Sequence, residues 1–383
     1  MTTEAKPRTA LAGAAAADGP GATERAVSGA LSRCPDGVSL VLSFCSGLDP
    51  DRAASALADV EAGVPRLGMT GKGSIAAGEI VEHGCVAIAL SDRVGVGVGV
   101  RESAAADLRE AARDASRDAL DALGDAEHRL LLLLLDTPNS DHAEAVAGAY
   151  DVAGPSVPLA GGGAGGPSPA LLHDGAAIRN AVVAVALAAP NAVGLGTAHG
   201  CEAIAAPSIV TRSEGLKLTE LDGRPASEVY LERLGYADVV LSDEEFEALA
   251  VTHPLAQPEL NGDTRLRHVR WREEEALACA THLPPGAAVE FTQQGPDEIV
   301  AAASRAVSDS LAALDRPPRA SLIFDCAGRK GAIGSALGLE HSALISAFGE
   351  APPLAGAFTY GEIARSRGAK GDRNHAVVVA TLA

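Results

Sequence analysis

Aromatic side chains are scarce: six phenylalanines, four tyrosines and one tryptophan make up 3% of 383 residues. A cleft that grips sugars or nucleobases by stacking needs more of them, so such a cleft is disfavoured. Lysine is scarcer still, at 5 against 26 arginines, and 50 acidic residues against 31 basic ones leave a net charge of −19. That charge repels phosphate backbones, and the one dense basic stretch, RLRHVRWR over 265–272, is too short to reverse it. Nucleic acid is therefore not an expected partner. No C-x-x-C pair occurs, and Cys34, Cys45, Cys85, Cys201, Cys279 and Cys326 are scattered, mostly among apolar residues, as buried reduced thiols would be. Long apolar runs are missing too. The run LLLLLL at 130–135 ends at Asp136, far below spanning length, and the N-terminal segment is too rich in Gly and Pro for a signal peptide. These absences point to a soluble, cytoplasmic protein with no membrane partner and a disordered tail over residues 1–20.

What is present is small and apolar. Apolar residues make 47% of the chain and glycine numbers 42, which suits closely packed α/β layers. Residues 95–187 supply a template. VGVGVGV alternates with period two, a strand with one face almost free of side chains. SAAADLREAARDASRDALDAL has helical spacing behind a Ser cap, and RLLLLLLD is a strand buried on both faces. SDHAEAVAGAYDV is a second helix, followed by the strands SVPLAG and NAVVAVALA. The same order is expected over 287–382, opening on AAVEFTQQ, and an incomplete copy leads the chain. CVAIALSDRVGVGVGV and AVVAVALAAPNAVGLGT read as antiparallel hairpins. The expected fold class is α/β, with mixed, mostly parallel sheets built from repeated strand-helix-strand-helix-strand-strand modules in two lobes. Residues from about 201 to 285 fit neither copy and mark a domain junction.

Each module carries a glycine turn after a P-x-x-G strand, at Gly68, Gly161 and Gly356, with Thr70 and Gly162 close by. The plain reading is a tight strand end. The functional one is that carboxyl ends of parallel strands form a ligand crevice. GGGAGG satisfies G-x-G-x-x-G, but Pro167 and Pro169 deny it the helix N-terminus that a pyrophosphate needs, and GKGS lacks the rest of a P-loop. In HGCE, His199 and Cys201 share a face of an extended chain, open to a core or capping role or to a haem or metal contact. No second histidine at helical spacing supports zinc. Cys326 and Arg329 follow a buried strand, Tyr360 and Glu362 follow the next glycine, and Asn374 precedes the last strand. Singly each reads as a surface or structural residue, but their clustering at the loop ends of one module raises the binding reading, with a guanidinium for a carboxylate and a carboxylate for an ammonium.

In order, GTAHG, PSIVTRSEGLKLTELDGRPASEVYLERLG, HPLAQ, LPPGAAVEF, LIFDCAGR and PLAGAFTYGEI closely resemble the hallmark segments of the FIST (F-box and intracellular signal transduction) family, over roughly residues 38–383. The resemblance implies a sensory module with an N-terminal and a C-terminal FIST domain, here 21–236 and 237–383. It implies a non-enzymatic protein that binds an amino acid or similar small polar metabolite and hands the signal to a separate signalling protein such as a histidine kinase. His199 and Gly200 match the HG step, Asp325, Cys326 and Arg329 the C-x-x-R segment, and Tyr360, Gly361 and Glu362 the YGE segment. One subgroup is described as a haem protein that senses nitric oxide, which makes a haem-based sensor the first alternative. Cys201 stands where an aromatic residue commonly follows HG, so neither haem nor metal is expected. A thiol-dependent hydrolase using Cys326 or Cys201 is the rival from another class.

Overall fold

The structure, a computed structural model, describes residues 11–34, 37–58, 63–137, 140–259, 264–366 and 368–383. The repeat is threefold. Module one holds β1 (Ala12–Asp18), β2 (Val38–Ser46), β3 (Arg66–Gly71), the hairpin β4 (Ser74–Ala76) and β5 (Ile80–Val81), and β6 (Gly84–Ser91). Module two holds β7 (Gly95–Glu102), β8 (His128–Asp136), β9 (Leu159–Gly163), the hairpin β10 (Leu171–His173) and β11 (Ala176–Ile178), and β12 (Ala181–Ala189). Module three holds β13 (Val193–Ala198), β14 (Ala320–Cys326), β15 (Leu354–Thr359), β16 (Glu362–Arg365), β17 (Asp372–Arg373) and β18 (Val377–Leu382).

Every module keeps four strands in its own sheet and lends its hairpin to another. The orders are β1-β6-β2-β3-β10-β11, β7-β12-β8-β9-β16-β17 and β13-β18-β14-β15-β4-β5, so the exchange is cyclic. One pair per sheet is parallel, β2/β3, β8/β9 or β14/β15, and the other pairings within these sheets are antiparallel. The segments expected to form hairpins, β6 with β7 and β12 with β13, fall in different sheets. Both edges of β6 are already taken by β1 and β2, and those of β12 by β7 and β8.

Three further expectations change. AAVEFTQQ does not open module three; Val193–Ala198 does, and Ala288–Gln294 belongs to a nine-stranded sheet inserted between β13 and the helix Pro296–Ala312. The insert carries the helices Ala226–Arg233 and Asp243–Thr252, so a boundary between 236 and 237 would cut through it. The segment read as a tail over 1–20 contains β1, which pairs along its full length with β6; residues 1–10 lie outside the described ones.

Glycine sets the close approaches. A Cβ at Gly97 or Gly99 would stand 2.0 Å from the carbonyl oxygen of Ala119 or Ala115, so the helix Leu108–Leu123 lies directly on strand backbone. Gly196 meets Ala306 in the same way at 1.9 Å. Gly68, Gly161 and Gly356 are each the third residue of their strand rather than turn residues, paired with Ser43, Leu133 and Ile323. The helices sit outside the sheets and one shared apolar interior lies between them. In β8, Leu130, Leu132 and Leu134 face that interior, while Leu131, Leu133 and Leu135 face helices. Phe44 of β2 and Phe324 of β14 meet edge to face inside it, with centroids 6.0 Å apart. Among the described residues no helix is long and apolar enough to cross a membrane.

Candidate functional site

The three hairpin crossovers meet in a ring. Lys72 N donates to Phe358 O at 2.8 Å, Tyr360 N to Gly163 O at 3.0 Å, and Gly165 N to Thr70 O at 2.9 Å, each link joining the chain just after β3, β15 or β9 to another module. A cavity of about 390 Å³ lies against this ring. Its floor is made by Lys72, Gly163, Ala164, Tyr360 and Gly361 with the strand ends Leu135, Cys326 and Thr359. The inserted sheet closes it from the other side with His268, Arg270, Ala280 and Thr281. Carboxyl ends of the parallel pairs thus face a ligand-sized space, as an open α/β edge would provide.

The insert is clamped to the core beside this space. Asp372, in the β16–β17 hairpin, accepts from Arg265 Nη1 at 2.6 Å and from Arg267 Nη1 at 2.8 Å, and all three are buried. The backbone N–H of His268 donates to Asn374 Oδ1 at 3.2 Å, and that of His282 to Asp141 Oδ2 at 3.1 Å. Asp372 is therefore spent on the clamp. The remaining charged side chains along the cavity are Lys72, Arg270 and Arg373.

The threefold scaffold is chemically unequal. By strand register Cys326 stands where modules one and two have Ser46 and Asp136, and His375 where they have His83 and Asn180. Cys326 touches the cavity, but burial first and then Glu362 push its thiol well above the ordinary value. Burial likewise raises Cys201 to about 12. Both are held as thiols, the opposite of what a nucleophile needs. His142 and His268 are both lowered to about 4, chiefly by burial and then by Arg270, so both rings are neutral near pH 7.

Of the residues singled out from the sequence, Cys326, Tyr360 and Asn374 line the cavity, Tyr360 with 42% of its surface exposed. Arg329 does not. It is fully buried, with Nε 2.9 Å from Asp325 Oδ1, Nη1 2.7 Å from His199 O, and Nη2 on Glu340. Glu362 is also fully buried; it accepts from Thr359 Oγ1 at 3.1 Å, and burial, followed by Asp325, pushes its carboxyl well above the usual carboxylate range. A guanidinium already between two carboxyls and a buried carboxyl whose charged form is disfavoured do not form the charge pair expected for a zwitterion. Thr70 is buried, accepting from Ala170 N at 3.0 Å, and Gly68, Gly161 and Gly162 serve sheet packing. His199 lies outside the cavity residues, and its Nδ1 accepts from Cys201 N at 3.0 Å, a cap on its own turn. These residues do not fit an axial haem site, and among the described residues no cluster of three or more His, Cys, Asp or Glu could hold a metal ion.

Sequence reasoning missed His142, His268, Arg270, Asp372 and His375. One signal was in plain view: RLRHVRWR alternates, placing Arg265 and Arg267 on the clamp and His268 and Arg270 at the cavity.

Two uncharacterized proteins of Mycobacterium tuberculosis, from strains CDC 1551 / Oshkosh and ATCC 25618 / H37Rv, are each 29% identical to this chain over 203 residues, which is 50% of the chain and 51% of each relative. The chain thus spans about half the length of the curated relatives it matches. A solved structure described as "Cyanuric acid hydrolase: evolutionary innovation by structural concatenation" is similar with a TM-score of 0.34 and 13% identity, covering 97% of this chain and 98% of that one. Residues 39–224 match the FIST N domain and residues 226–365 the FIST C domain. With both domains present in tandem, the chain belongs to the FIST family, whose domains are associated with signal transduction and small-ligand sensing.

Proposed function

We propose that this protein is a non-enzymatic, small-ligand-binding sensor, and that its ligand, an amino acid or similar small polar metabolite, occupies the cavity between the strand-end ring and the inserted sheet. One observation carries this reading. The cavity is about 390 Å³, within the usual range for small-molecule sites, and is bordered by Lys72, Arg270 and Arg373, while Asp372, the one carboxylate among the described lining residues, is bound by two buried arginines. Cationic groups at the cavity wall favour a ligand carboxylate, which guanidinium groups hold by charge-assisted hydrogen bonds. The ligand would bridge core and insert, so occupancy would change how firmly the insert is held. A separate cytoplasmic signalling protein, such as a histidine kinase, would read that change.

Thermal-shift and calorimetric titration of the purified chain with the twenty amino acids tests the reading, followed by Arg270→Ala. Binding by one class, weakened by about tenfold or more in the variant, supports it. Failure of every probe to bind overturns it.

A further inference from the structure

A hydrogen-bond chain of fixed direction runs from the root of the insert to the cavity. It begins at the His199 carbonyl, which can only accept. Gln294 Nε2 donates to that oxygen at 2.6 Å, which fixes the amide orientation and leaves Oε1 3.1 Å from His375 Nδ1. An amide oxygen also only accepts, so the hydrogen sits on His375 Nδ1. His375 Nε2 lies 2.9 Å from His268 Nδ1. In a neutral His375 that nitrogen accepts, so His268 donates through Nδ1. Neutral His268 then keeps a lone pair on Nε2, on the ring edge away from His375, and His268 borders the cavity.

Neutrality has its own support. His375 is fully buried, and the charged or titratable groups acting on it are His268, Arg329 and His199, none of them anionic. Burial and then these neighbours hold it well below its ordinary value. His268 is held down by burial and by Arg270, and the nearby Asp372 is occupied by Arg265 and Arg267. His142, also at the cavity, is held down by burial and then Arg270, with its ring hydrogen-bonded to the backbone of Thr137.

We infer that His268 is a tautomer-locked acceptor that determines ligand specificity: its Nε2 takes an N–H hydrogen from the ligand's amino group, so the site selects α-amino acids over carboxylates that lack the amine. This rests on the proposed binding role of the cavity. The division of labour follows from the side chains present, with cations for the carboxylate end and a neutral imidazole for the amine end. A protein carboxylate is not needed for the ammonium, which accounts for Glu362 and Asp372 being committed elsewhere.

Two measurements on the full chain decide it. Long-range proton–nitrogen correlation spectra of histidine-labelled protein should show His268 protonated on Nδ1 only, unchanged between about pH 5.5 and 8. A proton on Nε2, or titration near 6.5, overturns the inference whatever binds. Calorimetry should then compare L-alanine with propionate and L-glutamate with glutarate. At least one amino acid should bind about tenfold or more tightly than its partner without the amine. His268→Asn keeps an N–H donor for His375 but removes the Nε2 acceptor, and should erase that preference by lowering the amino acid's affinity toward that of its partner without the amine. Equal binding within both pairs overturns this inference alone, whereas no binding by any of the twenty amino acids overturns the ligand-binding role with it.

Discussion

Arg329 Nε lies 2.9 Å from Asp325 Oδ1 across the junction between β14 and the helix Ala327–Ile333, and the same guanidinium reaches Glu340 and the carbonyls of His199 and Ile299, all without solvent contact at the arginine. Its donors tie the end of β14, two helices and the root of the insert into one knot. Removing it leaves two buried carboxyls facing each other. Arg329→Ala should therefore destabilise the fold by about 3–5 kcal/mol, where an exposed ion pair would count for under about 1. Urea unfolding measures this. Combining Arg329→Met with Asp325→Asn and Glu340→Gln should recover much of the loss, because no charge is left unpaired. A variant of normal stability that binds ligand poorly would instead restore Arg329 to the ligand site.

Gly161 offers a second test. A Cβ there would stand 1.9 Å from the Leu133 carbonyl oxygen, and the residue sits at φ +141°. Gly161→Ala should cost more than about 2 kcal/mol through clash and backbone strain together. Gly78, with nothing within 4 Å of a built Cβ, is the control, and Gly78→Ala should stay within about 0.5 kcal/mol of wild type. Comparable costs at both positions would refute the close-approach account.

These residues also explain what the sequence could and could not convey. The glycine period of β7 and the leucine run of β8 are local signals, and both became the strands expected. The module order was legible for the same reason. The start of module three was not, because both 193–198 and 288–294 alternate like strands, and no local pattern marks an insertion between a strand and its own helix. The cyclic hairpin exchange is equally nonlocal. At the site, Cys326, Tyr360 and Asn374 were reachable as strand-end residues, whereas His268 and Arg270 meet the cavity only because the insert folds back over the core. Arg329 and Glu362 share the strand-end position, yet chain position cannot distinguish an open charge from one enclosed by partners. The difference lies in Glu340 and Thr359, which the fold brings alongside.

The clamp predicts a local rather than global loosening. Asp372 holds Arg265 and Arg267 at 2.6 and 2.8 Å, all buried, across the junction between hairpin and insert. Asp372→Asn keeps the shape but removes the charge that the two guanidinium groups share. Hydrogen exchange followed by mass spectrometry should show faster exchange in Thr264–Arg267 and Ala276–Cys279, with Leu131–Leu135 of β8 unchanged. Uniform acceleration, or none, would mean that the clamp is not what seats the insert.

The last prediction concerns acid. His142 is lowered from 6.5 to about 4, chiefly by burial. Between those values the unfolded chain carries a proton on this ring that the folded chain does not, so this contribution to stability is present above about pH 6.5 and is lost as pH falls toward about 4. Its full size is of the order of 1–3 kcal/mol, reduced from the ideal linkage value because the ring is partly exposed. Glu362 acts in the opposite sense, since a buried carboxyl with a raised value keeps its proton in the folded state and loses stability as pH rises past the usual carboxylate range. The wild-type curve sums both, so the informative quantity is the difference from His142→Asn. Urea midpoints measured from pH 8 to pH 4 should decline less steeply in the variant, with the two curves converging toward low pH. Parallel curves would show that His142 titrates alike in the folded and unfolded chains, and that the cavity wall around it is open to water.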